Sequence, residues 1–99
     1  MRVTYSELSI NDLSEIADHL VDTAGATVAN KVIGEIERVI VEVLSENPDI
    51  GTAVLHEIEG ILFFPAGQYP VYQIFYKKRN DVLEVYRVLH GKRDIKSLL

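Results

Sequence analysis

Val82-Leu-Glu-Val-Tyr-Arg-Val-Leu-His90-Gly-Lys-Arg-Asp94 decides the reading of this chain. The run Val82–His90 contains no proline, is rich in β-branched and aromatic residues and stops at Gly91, which predicts a strand. Strict alternation would put Leu83, Val85, Arg87 and Leu89 on one face and Glu84, Tyr86, Val88 and His90 on the other. The cations Lys92 and Arg93 follow at once, with Lys96 nearby. Ionisable side chains are thereby delivered to the rim of a sheet, where small domains often carry function.

Working backwards, Asn80-Asp81 is good turn chemistry, so Tyr69–Lys77 and Val82–His90 are expected to form an antiparallel hairpin. Ile61–Pro65 is a further strand candidate, and residues 49–60 read as a loop around Gly51 and Gly60. In Tyr69–Lys77 both faces are largely apolar or aromatic: Val71 and Phe75 flank Gln73 on one, with Tyr72, Ile74 and Tyr76 on the other. A face opposite the helices that still carries Tyr and Ile would need a cover, and a partner chain is the natural one.

Upstream, the period changes from two to about 3.6. Leu13, Ile16, Ala17, Leu20, Val21 and Ala24 form one apolar stripe, with Ser9 or Asn11 as candidate N-caps and Asp12 and Glu15 near the positive end of the helix dipole. Gly25 ends this helix. Thr27 is a candidate cap for a second, from about Val28 to Glu46, with a stripe of Ala29, Val32, Ile33, Ile36, Val39, Ile40, Val43 and Leu44. Lys31/Glu35 and Arg38/Glu42 are i,i+4 pairs on its wet face, and Pro48 disfavours continuation. Residues 2–6 read as a short strand. The order is β-αα-βββ: an α+β fold, one domain over 1–99, with a helical hairpin packed on one face of a small antiparallel sheet.

The totals narrow the function classes. Ninety-nine residues supply one core, and 47% apolar with 25% charged residues is ordinary globular composition. With no cysteine there are no disulfides, thiolate metal sites or thiol nucleophiles, and three scattered histidines give no metal or cofactor site. The N-terminus has no signal-like apolar region and no segment has membrane-spanning length, so a cytoplasmic protein without membrane contact is expected. The net charge of −5 argues against general or sequence-specific nucleic-acid binding. Its distribution is uneven: residues 1–60 hold three cations against twelve acids, and residues 61–99 seven cations against three acids. The halves either attract each other across the fold or offer the basic end to an acidic partner.

Several motifs in order carry a resemblance: Asn11-Asp12-Leu13-Ser14-Glu15-Ile16, Leu44-Ser45-Glu46-Asn47-Pro48 with Gly51, Phe64-Pro65-Ala66-Gly67-Gln68-Tyr69, Ile74-Phe75-Tyr76-Lys77 and Glu84–Asp94. Together they resemble the ParE branch of the RelE/ParE superfamily of type II toxins. The resemblance implies a helical hairpin on a small sheet, an antitoxin that wraps the toxin, and poisoning of DNA gyrase by binding. RelE-like relatives instead cut mRNA on the ribosome, and a toxin fold with weak or no toxicity is a third possibility. This chain has Leu62 and Phe63 where relatives often carry Arg. That departure and the acidic balance weaken the ribonuclease alternative, which needs positive charge for RNA phosphates and for a pentavalent transition state.

Arg87 has two readings: a buried ion pair with Asp12, Glu15 or Asp18, or a role in target binding or catalysis. A ribonuclease would use Arg87, His90 and Arg93; without a positioned carboxylate or second base, His90 also reads as a structural hydrogen-bonding residue. Lys92, Arg93 and Lys96 are the expected contacts to the target, unless they form a solvated tail. Tyr72, Ile74, Tyr76, Tyr86 and Val88 are the expected antitoxin-binding face.

Overall fold

The computed structural model describes residues 1–54 and 60–91. Strand β1 (Arg2–Tyr5) leads into α1 (Glu7–Ala24), and α2 (Ala26–Arg38) follows after a single residue. A π-helical segment, Val39–Leu44, extends α2. Then come β2 (Thr52–Ala53), β3 (Leu62–Ala66), β4 (Tyr69–Arg79) and β5 (Val82–His90). The sheet order is β1-β5-β4-β3-β2.

Ser6, not Ser9 or Asn11, caps α1. Its hydroxyl accepts from Ser9 N at 3.0 Å, satisfying one of the free donors of the first turn. Gly25, at φ 93°, ends α1 and begins α2, a backbone conformation L side chains rarely adopt, so Thr27 is already inside the second helix. The hinge folds the two helices back on each other above the sheet. In the π-helical segment Ser45 N reaches Ile40 O, one residue further than in an α-helix, and Val39, Ile40 and Leu44 are all buried.

The sheet is mixed, which corrects the expected all-antiparallel one. β1 pairs in parallel with β5, Arg2 opposite Val82 through Tyr5 opposite Val85, whereas β2, β3, β4 and β5 pair antiparallel in succession. The strand β2 falls in the segment expected to be loop. Asn80 turns the β4–β5 hairpin at φ 54°, which Asn tolerates better than most residues.

The main core lies between helices and sheet. Ile16, Val32, Ile36, Val39, Ile40 and Leu44 from above meet Tyr72, Ile74, Tyr76, Leu83, Val85 and Val88 from below. A smaller cluster, Ile61, Phe75 and Leu89 with Val54, Phe63 and Tyr86, lies apart from it. Burying each large apolar side chain contributes roughly 1.5–3 kcal/mol.

Candidate functional site

The end of β5 is organised by a break in its alternation. Phe75 lies opposite Arg87 and Tyr76 opposite Val85, so the ladder skips Tyr86. One extra residue reverses the phase of everything after it. Leu83 and Val85 face the helices, and after the bulge so does Val88, while Tyr86 and Leu89 join the second cluster.

Residues at the start of α1 take over where β1 runs out. Ser6 N donates to Val85 O at 2.9 Å, and the Ser6 hydroxyl donates to Tyr86 O at 2.6 Å. Asp12 then accepts from Val88 N at 3.0 Å and from both Nε and Nη2 of Arg87, at 2.7 and 2.9 Å. A buried carboxylate thus completes the strand edge and engages a guanidinium in a two-pronged, charge-assisted pair. Among the described residues the ion-pair partner of Arg87 is Asp12; Glu15 and Asp18 are exposed on α1.

A second carboxylate repeats this arrangement on the other helix. Glu35 on α2 accepts from Gln68 N at 2.9 Å in the β3–β4 turn, and from Arg38 at 2.7 and 3.1 Å. Arg38 is therefore paired three residues back, not with Glu42. The hydrogen bonds from Arg38, and then from Gln68 N, hold the Glu35 carboxyl down to about 2. A third tether is neutral. The Tyr76 hydroxyl donates to Pro48 O at 2.8 Å and accepts from Gly51 N at 2.9 Å, fixing the chain that leaves the helices. Burial pushes the Tyr76 phenol up.

The five residues expected to contact an antitoxin lie in two different settings. Tyr72, Ile74, Tyr76 and Val88 are buried beneath the helices, where they have no surface to offer, and Tyr86 is half-buried on the other cluster. The two apolar faces of β4 conceal which one meets the helices, and the bulge separates Tyr86 from Val88. His90 packs edge-on against Tyr72, ring centroids 5.6 Å apart, and Gly91 N donates to Val71 O. The expected target contacts Lys92, Arg93 and Lys96 lie outside the described residues. Among the described residues no group of His, Cys, Asp and Glu could hold a metal, and no helix is long and apolar enough to cross a membrane.

A helical hairpin pinned by two carboxylates and a tyrosine to one face of a five-stranded mixed sheet is a compact scaffold that leaves the outer side of both helices available. The same architecture occurs in a solved structure described as the chromosomal ParDE TA system from P. aeruginosa. The two agree with a TM-score of 0.77 over 93% of this chain and 97% of that one, at 18% identity, which shows a shared fold. No curated protein sequence matches. Residues 3–95 match the family described as the ParE toxin of type II toxin-antitoxin system, parDE. The chain belongs to the ParE toxin family.

Proposed function

We propose that this protein is a cytoplasmic toxin that inhibits DNA gyrase by binding to it and is neutralised by a cognate antitoxin. The family match across residues 3–95 is the observation that carries this reading. The engagement of Arg87 supports binding over RNA cleavage. Its Nε and Nη2 donate to Asp12, so stabilising a phosphorane would require breaking a part-buried ion pair first. Lys92, Arg93 and Lys96, just beyond β5, supply the positive charge for an acidic target surface.

Supercoiling by purified gyrase, with and without the protein, tests the reading. Inhibition together with trapped cleaved DNA is the expected result; full supercoiling at saturating protein would overturn it. Reversing all three charges (Lys92→Glu, Arg93→Glu, Lys96→Glu) should weaken inhibition by at least about tenfold while leaving Tm unchanged.

A further inference from the structure

Apart from the cations that follow β5, positive charge gathers at the turn end of the β4–β5 hairpin. Val3 and Tyr5 pack against the main core, to which Leu83, Val85 and Tyr76 belong. Alternation therefore places Arg2 and Thr4 of β1, Val82 and Glu84 of β5, and Lys77 and Arg79 of β4 on the face away from the helices. Pairing sets Arg2, Val82 and Arg79 in one row across three strands, and Thr4, Glu84 and Lys77 in the next. All of these but Lys77 line an open depression of about 440 Å³, closed at one end by Asn80 and Asp81 of the turn.

In the first row two guanidinium groups flank an apolar floor. Neighbouring strands lie about 4.8 Å apart, so the Cα atoms of Arg2 and Arg79 are about 10 Å apart with Val82 between them. Among the described residues Arg2 and Lys77 form no ion pair, and Arg79 meets Glu84 only at 3.9 Å, the two side chains 64% and 41% exposed. So loose a surface contact is readily exchanged for a better one. These cations hold no part of the chain together, yet they stand side by side on a protein of net charge −5. A long polyanion would also feel the excess acid of the rest of the chain. A short acidic segment feels chiefly the charges within a Debye length of about 10 Å, which selects a peptide with few carboxylates over nucleic acid.

We propose that this depression receives an acidic helix of a partner protein, with an apolar side chain seated on Val82 and one carboxylate at each of Arg2 and Arg79. Positions i and i+7 of a helix lie about 10.5 Å apart on one face with i+3 and i+4 between them, which matches the row. Same-face residues of an extended segment, about 6.8 or 13.6 Å apart, do not. Glu84 opposes any carboxylate placed over the second row and so limits the helix to one alignment. The proposal rests on the target reading only for the partner's identity: the helix belongs to the protein that Lys92, Arg93 and Lys96 engage, and the depression is a second contact to it.

Three helical peptides of about 18 residues, built on alanine and glutamine around one leucine, test it by NMR titration. One carries two glutamates seven residues apart flanking the leucine, one carries them on opposite faces, and one has glutamine in their place. The first should bind at least about fivefold more tightly than the other two, shifting the amides of Val82 and Arg79, and salt should erase the difference. Arg2→Gln and Arg79→Gln, at exposed positions, should each weaken its binding about threefold with Tm unchanged, whereas Glu84→Gln, which releases Arg79, should tighten it. Equal binding of the three peptides, or undiminished binding to the double variant Arg2→Gln, Arg79→Gln, would overturn the proposal, as would tighter binding of a DNA duplex. The assay contains no gyrase, so its failure leaves the toxin reading standing.

Discussion

Asp12 and Glu35 perform the same chemistry on the two helices of the hairpin. Each carboxylate accepts one backbone N–H from the sheet side and two N–H groups from a single arginine. They differ in setting. The arginine of Asp12 comes from β5 and is only 20% exposed, whereas that of Glu35 comes from its own helix and is 47% exposed. The Asp12 pair joins residues distant in sequence with little water to replace it. The Arg38 pair is local and readily replaced by solvent, so the outward tether of Glu35 to Gln68 is what joins helix to sheet. Similar hydrogen-bond distances therefore correspond to different contributions.

Breaking the buried version should have the largest effect. Asp12→Ala removes the carboxylate partner of Arg87 and the acceptor of Val88 N–H, and should lower stability by about 3–5 kcal/mol in urea denaturation. Asp12→Asn keeps an oxygen acceptor and should lose less; an equal loss would show that the charge, not the strand-edge hydrogen bond, dominates. The neutral tether comes next. Tyr76→Phe leaves Pro48 O and Gly51 N without their partner and should cost about 1–3 kcal/mol by the same measurement.

The Glu35 version should give the smallest effect and is best read through pH. The Glu35 carboxyl is held at about 2, below its ordinary 4.5, so its contribution is present above the ordinary value and is lost as pH falls through about 2. Between those limits Tm of the wild type should fall on acidification, and Glu35→Gln should flatten that part of the decline. A Glu35→Gln profile parallel to the wild type would remove the tether from the account.

Much of the architecture was legible from pattern. The Val82–His90 strand was read to its observed ends, and the two apolar stripes with Gly25 between them gave the hairpin. What stayed hidden depends on pairing partners far away in sequence. Alternation along β5 holds until Tyr86 and then reverses, because a bulge is a property of two strands and no residue type in Val82–His90 announces it. The burial of Tyr72, Ile74 and Tyr76 stayed hidden for a related reason: with apolar residues on both sides of β4, burial cannot be assigned from period alone. Arg87 and Asp12 were both singled out as residues, and only the fold brings Asp12 rather than Glu15 to the guanidinium. Tyr76 was read by its ring, while its hydroxyl is what holds Pro48 and Gly51.

The parallel pairing of β1 with β5 has a consequence in time. The second residue of the chain lies beside the eighty-second, and Ser6 completes its hydrogen bond to Tyr86 across 80 positions of sequence. During synthesis β1 has no strand to join until β5 has left the ribosome, and neither Arg87 nor Val88 exists to meet Asp12. Pairing across so long a separation carries a loop-closure cost that slows folding. A chain interrupted anywhere before β5 lacks the strand on which both the first strand and the first helix depend. The fold is therefore completed only once β5 is available both to β1 and to the start of α1.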